Sequence, residues 1–349
     1  MLDPIWNLVT LDIGIDLGTA NTLVHVSGKG IMVNEPSVVA INNKTKEVLA
    51  VGAEARQMLG RTPASVVAIR PLRSGVITDF DTTQAMIRYF IERVHSLSAK
   101  FLKIPRPRVV IGVPSSVTEV ERQAVVDAAR SAGARKVYIV ESTIAAAIGA
   151  GLPIEDPSGS MIIDIGGGTT DIAVLSLGGI VVDKTVQVAG DAFDRDIVNY
   201  VKYKYNLLIG ERSAEDVKIS IGSVYPQKDE KAVVLQGRDL LSGLPKSIEI
   251  TGVEVREALS GSIAQITDSL KDAVEETPPE LLADLTSSGV TVVGGGALLH
   301  GIDKYWREKL KLPVVIAEDP MTAVVRGTAK MLDRVDLLNK AQSGWDEII

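Results

Sequence analysis

The sequence predicts an α/β protein of two similar halves, each a mainly parallel, mixed sheet flanked by helices. Three observations carry that expectation. Short apolar runs close on glycine at DIGIDLG (12–18), SMIIDIGGG (160–168) and GVTVVGGG (289–296), the pattern of buried strands. Segments of helical period lie between them, and such alternation gives parallel sheets covered on both faces. The order strand, glycine turn, hairpin partner, helices recurs in the halves beginning at Ile13 and Met161, with Asp16 and Asp164 equivalent and 148 residues apart.

Along the chain, the first strand feeds a hairpin meander across 19–51. Met86, Phe90, Val94 and Leu97 predict a helix over 83–98. Thr118, with Glu121 three positions on, predicts a capping box opening a helix over 118–132. The second half repeats the meander over 170–189, then shows a helix over 190–206 with Phe193, Ile197, Val201 and Tyr205 in one stripe. Ser213 opens a helix over 213–221, and 252–275 and 320–334 are helical by period. LPIEDPSGS, from Leu152 to Ser160, reads as a linker. Domains are therefore expected at 1–155 and 156–338, with a C-terminal tail at 339–349.

Composition narrows the function. The 349 residues are 46% apolar and 23% charged, an ordinary folding chain of about two domains. The absence of cysteine excludes a disulfide scaffold, a thiolate nucleophile and Cys-based metal sites. His25, His95 and His300 lie far apart, so a histidine-built metal site is not expected. The net charge of −7 argues against a general nucleic-acid surface. No apolar run reaches the ~18–20 residues of a spanning helix, and no secretory signal opens the chain, so a cytoplasmic location is expected. Aromatic residues are only 4%, leaving the core to Val, Ile, Leu and Ala.

Three glycine turns carry the chemistry: Asp16-Leu17-Gly18-Thr19-Ala20-Asn21, Asp164-Ile165-Gly166-Gly167-Gly168-Thr169-Thr170-Asp171, and Gly294-Gly295-Gly296-Ala297. Each offers backbone N–H groups to an anion. None is a Walker A loop or a dinucleotide fingerprint. Asp16 and Asp164 each stand at a strand end just before a turn. If the halves face each other, two carboxylates meet one polyphosphate and repel it unless a divalent cation intervenes. Mg²⁺ suits that place, because it keeps several waters and takes one or two carboxylates plus phosphate oxygens. The expectation is a clamp of two phosphate-gripping hairpins, with hydrated Mg²⁺ held by Asp16 and Asp164.

These turns sit in longer motifs: GIDLGTANT (14–22), NEPSVVAI (34–41), AIRPLRSGVITDF (68–80), VVIGVPSSVTEVERQAV (109–125), DIGGGTTDIAV (164–174), IGERSAEDVK (209–218), TPPELLADL (277–285) and VVGGGALLHGID (292–303). Through them the chain resembles the actin-like ATPases and, within those, the bacterial MreB family, from about Asp12 to Leu338. The resemblance implies a duplicated actin-like (ribonuclease H-like) fold with a nucleotide cleft between the halves, and ATP with Mg²⁺ as ligands. It implies that Thr19, Ala20 and Asn21, beyond Gly18, touch phosphate and Mg²⁺-bound water. It also implies that Gly167, Gly168 and Thr169, beyond Gly166, form the second phosphate hairpin. Glu215 and Lys218, with Asp216 and Val217 between them, would line the ribose and adenine, although their spacing alone reads as a solvated ion pair. Gly294, Gly295, Gly296 and Ala297 would cover the nucleotide.

One departure bears on catalysis. Hydrolysis needs a polar group to orient water in line with the γ-phosphate. In the family that helix begins Glu-Pro before an alanine run; here the chain reads Val140-Glu141-Ser142-Thr143-Ile144-Ala145. Ser142 stands where the second glutamate of the family stands, and Glu141 matches the first. A serine hydroxyl holds water but is a poor base, and Thr169 could help position that water. Nucleotide binding is therefore expected with slow hydrolysis linked to filament turnover. Asp171 is a milder departure, since the family more often has glutamate there.

Two stretches suit a membrane surface. In MLDPIWNLV (1–9), Leu2, Ile5, Trp6 and Val9 share one helical face. In AKFLKIPRPR (99–108), Phe101 and Leu102 stand among Lys100, Lys103, Arg106 and Arg108, where each near-surface charge adds ~1 kcal/mol on an anionic leaflet. The resemblance implies head-to-tail self-polymerisation, the inner membrane lipid and the membrane proteins of cell elongation as partners, and a role in organising cell-wall synthesis and rod shape from the inner face of the cell membrane. The rival within the superfamily is a sugar-type kinase, which would carry an acceptor pocket and extra substrate loops. A chaperone ATPase would need a peptide-binding domain after residue 349, and a plasmid-segregating actin would lack the 34–41 and 68–80 matches.

Overall fold

The computed structural model describes residues 12–73, 75–98 and 106–334. The expectations for Leu2, Ile5, Trp6, Phe101, Leu102 and the tail at 339–349 lie outside the described residues. The chain divides into two compact units: the residues up to Pro157 with Ser176–Ile180 and those from Met321 onward, and Ser158–Leu175 with Val181–Pro320.

In the first unit the order is β1 (Ile13–Leu17), β2 (Asn21–Val26), β3 (Gly30–Pro36), β4 (Val39–Asn42), β5 (Val48–Val51), α1 (Ala53–Met58), β6 (Val66–Ile69), β7 (Leu72–Arg73), β8 (Val76–Ile77), α2 (Phe80–Ser98), β9 (Arg108–Val113), α3 (Glu119–Ser131), β10 (Lys136–Glu141) and α4 (Ser142–Ala150). Its main sheet runs β10-β9-β1-β2-β3, with β10, β9 and β1 parallel and β1, β2 and β3 an antiparallel meander. Ile13, Ile15, Val109 and Ile111 are buried, as strands covered on both faces require. Met86, Phe90 and Val94 turn the stripe of α2 onto this core. The capping box of α3 forms as expected: Thr118 Oγ1 accepts from the Glu121 N–H, and the Thr118 N–H donates to Glu121 Oε2 at 2.8 Å.

The second unit holds β11 (Ser160–Ile165), β12 (Thr170–Ser176), β13 (Gly179–Val186), α5 (Gly190–Tyr205), β14 (Leu207–Leu208), α6 (Glu211–Ile221), β15 (Ala232–Asp239), β16 (Pro245–Thr251), α7 (Gly252–Glu276), α8 (Pro279–Ser288), β17 (Val290–Val293), α9 (Ile302–Leu310) and β18 (Val314–Ile316). Its main sheet runs β13-β12-β11-β17-β18, with β11 antiparallel to β12 and β17 parallel to both β11 and β18. That is the strand order of the first unit, so the duplication read from the sequence is a duplication of topology. Phe193, Ile197 and Val201 of α5 pack with Ile163, Ile172 and Val174 of the sheet. Trp306 is fully buried and donates its indole N–H to Thr267 Oγ1 at 3.0 Å. Helix α6 begins at Glu211, two residues before the expected Ser213, because Gly210 takes the N-cap position in extended backbone.

The last helix, α10 (Ala323–Asp333), belongs to the first unit and not to a continuous body over 156–338. Its small residues explain why. A Cβ on Gly327 would run into the carbonyl of Ala145, and one on Gly149 into the carbonyl of Ala323. Helices α4 and α10 therefore cross backbone to backbone, a fit that linear sequence does not display. Gly149→Ala is expected to destabilise the first unit by at least about 2 kcal/mol in urea unfolding, because overpacking against an immovable carbonyl outweighs the ~1 kcal/mol of helix propensity gained. Unchanged or higher stability would contradict this crossing.

Candidate functional site

In the first unit, three parallel strands bring the candidate residues to one edge. Asp16 of β1 is level with Gly112 of β9, which is level with Val140 of β10, so Glu141 and Ser142 follow immediately at the carboxyl edge of the sheet. Ligands of open α/β sheets bind at such edges. Two strand spacings put β1 and β10 about 10 Å apart. A Cβ on Gly112 would lie 2.9 Å from Val324 Cγ1 and 3.4 Å from Ser142 Oγ, so the glycine lets α10 and the start of α4 pack closely over β9. Glu141, Ser142 and Thr143 are 9%, 8% and 1% exposed, so the residues at the start of α4 are held in place by packing.

The turn from β1 to β2 is fixed by groups the sequence reading did not single out. Ser37 Oγ donates to the Gly18 carbonyl at 2.6 Å and lies 2.9 Å from Thr22 Oγ1. The Gly75 N–H donates to Thr19 Oγ1 at 3.2 Å. Thr19 thus accepts from the protein and keeps its own proton for an acceptor in the turn. The only sequence signal for Ser37 was its place in NEPSVVAI.

Burial pushes the Asp16 carboxyl up from 3.8 to about 7. Between those values the folded chain holds a proton that the unfolded chain has lost, so this group's stabilisation is present at low pH and is lost as pH rises towards 7. Relative to wild type, Asp16→Asn is expected to gain about 2–3 kcal/mol of stability between pH 5 and pH 8 in metal- and nucleotide-free urea titrations. A difference that does not change with pH would contradict the burial of this group.

In the second unit Asp164 occupies the equivalent place. It is the penultimate residue of β11, as Asp16 is of β1, and it is level with Asp171 of β12 and Val293 of β17. The Gly166 N–H bonds to the Thr169 carbonyl at 2.9 Å to close the turn. The start of α5 abuts that turn: the Gly190 N–H donates to the Gly166 carbonyl at 3.2 Å and the Asp191 N–H to the Gly167 carbonyl at 2.7 Å. The third glycine turn meets the same edge. Gly294 has φ 81° and ψ 174°, and a Cβ on it would strike Asp164 Oδ1 and the Ile165 carbonyl. A Cβ on Gly296 would strike the Ile165 side chain.

Helix α6 contributes Lys218, whose ammonium makes an ion pair with Asp194 at 2.8 Å and donates to the Gly190 carbonyl at 3.0 Å. Glu215 is half-buried on the same helix, Asp216 is exposed, and Val217 is buried in the core. The geometry thus ties Lys218 to the end of α5 that supports the second glycine turn. Burial raises Asp194 to about 6 even though the Lys218 cation pulls the other way.

Asp171 is a further buried carboxylate, 3% exposed, raised by burial to about 6. Thr169 Oγ1 donates to its Oδ2 at 2.9 Å and Thr185 Oγ1 to its Oδ1 at 2.6 Å. Among the described residues no group of three or more His, Asp or Glu side chains could hold a metal ion, and no helix is long and apolar enough to cross a membrane. A cation at Asp16 or Asp164 would therefore draw most of its ligands from water and phosphate oxygens, which is how Mg²⁺ usually binds.

Two sheets of one topology, each with an aspartate and a glycine turn at the same register position, define an actin-like fold. The family model described as MreB/Mbl protein matches residues 10–340. The chain belongs to the MreB/Mbl family. It is 52% identical over 329 residues to the cell shape-determining protein Mbl of Bacillus subtilis (strain 168), covering 94% of this chain and 98% of the relative. It is 47% identical over 341 residues to the cell shape-determining protein MreB of Escherichia coli (strain K12), covering 97% of each. Among solved structures it resembles MreB5 of Spiroplasma citri bound to ADP, with TM-score 0.89, 42% identity and coverage of 95% and 98%. The AMPPNP-bound form of that protein gives TM-score 0.88 at 41% identity, with coverage of 96% and 99%.

Proposed function

We propose that this protein binds ATP with Mg²⁺, one phosphate hairpin coming from each unit, and polymerises into filaments that lie on the inner face of the cell membrane and maintain cell shape. The observation that carries this reading is the equivalence of Asp16 and Asp164. Two copies of one sheet place an acidic residue at the same register, each beside a glycine turn. Relatives named for cell shape determination, and a solved relative that holds ADP or AMPPNP, support the nucleotide and the cellular role.

Asp16 and Asp164 would hold Mg²⁺ through its water shell, and the cation would neutralise the β- and γ-phosphates. The backbone of Gly18–Asn21 and Gly166–Thr169 would take the phosphate oxygens, while Gly294–Ala297 and the Glu215–Lys218 face of α6 would close on the nucleoside. With Ser142 at the water-facing position, hydrolysis is slow, so a filament would persist long after ATP binds. Membrane contact would come from Leu2, Ile5, Trp6, Phe101 and Leu102, and the partners along the membrane would be the cell-elongation proteins.

Cosedimentation tests this reading. Purified protein with Mg²⁺-ATP should pellet as filaments visible by electron microscopy, and anionic liposomes should carry them. Protein that binds ATP but stays in the supernatant under all nucleotide conditions, or that phosphorylates a sugar, would overturn the filament reading.

A further inference from the structure

Thr169 closes the second phosphate turn, and the direction of its hydroxyl is set by its surroundings. An ionised carboxylate only accepts hydrogen bonds, so a threonine beside it must turn its proton inward. Here two do so: Thr169 at 2.9 Å on Oδ2 and Thr185 at 2.6 Å on Oδ1 of the buried Asp171. Thr185 stands on β13 and Thr170 donates to the Val188 carbonyl at 2.7 Å, so the strand ends around Asp171 are anchored on both sides. With its proton spent on Asp171, Thr169 presents only lone pairs to a molecule seated in the turn.

We propose that Asp171 is a positioning residue for nucleotide hydrolysis: it holds Thr169 as a fixed hydrogen-bond acceptor, which orients the attacking water. This deepens the nucleotide reading above and rests on it. In the step, the water oxygen bonds to the γ-phosphorus, and the bond to the bridging oxygen breaks with its electron pair going to ADP. One water proton stays on the phosphate product and the other passes to solvent. Thr169 accepts a hydrogen bond from that water and so directs the oxygen lone pair at phosphorus. This gives the chain an orienting group that does not depend on Ser142, where the family's glutamate is missing.

The test separates the inference from the reading beneath it. Affinity for a fluorescent ATP analogue is measured first on the wild type with Mg²⁺. No binding sinks the nucleotide reading itself. Given binding, Asp171→Asn is expected to slow phosphate release at least about tenfold, with nucleotide affinity within twofold and melting temperature not lowered. An amide can donate to Thr169 and turn its hydroxyl outward as a donor. Thr169→Val is expected to give the same loss, the double variant no further loss, and Asp171→Glu should recover turnover to within about threefold of wild type. Phosphate release by Asp171→Asn within twofold of wild type overturns the inference, as does a parallel fall in affinity and turnover. Wild-type protein that binds nucleotide but releases no phosphate above background also overturns it. If Asp171→Asn does not fold, Thr169→Val with wild-type turnover has the same force.

Discussion

Lys218→Ala is expected to destabilise the second unit by about 3–5 kcal/mol, because it strands Asp194 in the interior without its cation. The pair is 2.8 Å apart, and both side chains are largely shielded from water, at 15% and 9% exposure. Asp194 already sits near pKa 6 with Lys218 present, so removing the cation pushes it further up, and at pH 7.5 the chain must either carry a buried charge or bind a proton. The Gly190 carbonyl also loses its ammonium donor, and that carbonyl belongs to the residue packed on the second glycine turn. Replacing both members, as Asp194→Asn with Lys218→Met, should recover most of the loss, since neutral groups of similar volume often match a buried ion pair. A double-mutant cycle by urea unfolding measures this. A single Lys218→Ala variant as stable as wild type would show that the ammonium is dispensable, and the support for the turn would then lie elsewhere.

Gly294→Ala is expected to cost a similar amount, about 3–5 kcal/mol, and to weaken nucleotide binding as well. The backbone there, φ 81° and ψ 174°, lies in a region that is essentially glycine-only and costs about 1–3 kcal/mol for any other residue. The added methyl group also meets the Ile165 carbonyl, which cannot move without breaking β11, and the Asp164 carboxylate, which can. A shifted Asp164 would misplace a carboxylate proposed to hold the cation. Affinity for Mg²⁺-ATP should therefore fall together with stability, whereas Gly295→Ala, a position with open space around a Cβ, should be nearly silent in stability. Thermal unfolding and nucleotide titration of the two variants side by side check this. Equal behaviour of both would mean that the third glycine turn does not brace Asp164.

Much of this architecture was legible because burial leaves a one-dimensional trace. Ile13, Ile15, Met161, Ile162, Ile163 and Val292 had to be strand residues, being apolar runs cut by glycine, and the Thr118–Glu121 box marked the start of α3. The hairpin of β15 and β16 left a weaker trace. It belongs to a largely exposed three-stranded sheet, and its signal is only the short apolar run Ala232–Leu235, with Leu235 buried and Val234 70% exposed, and the alternation of Ser247-Ile248-Glu249-Ile250. The return of α10 to the first unit was hidden for another reason. Gly149 and Gly327 are 178 positions apart, and only the crossing of two helices shows why both lack side chains. At the site, the glycine turns and their aspartates could be read directly. Ser37, Gly75 and Thr185 could not, because they reach Gly18, Thr19 and Asp171 from 19, 56 and 14 positions away through folding that the linear order does not state.

The sharpest measurement is the Mg²⁺ dependence of ATP affinity in the Asp16→Asn, Asp164→Asn double variant. In Mg²⁺ the variant should bind at least about tenfold more weakly than wild type, having lost both carboxylates proposed to hold the hydrated cation. In EDTA it should bind more tightly than wild type, because two negative charges no longer oppose the triphosphate. Weaker binding in both conditions, or no change in either, would contradict a metal-bridged pair of carboxylates at the triphosphate.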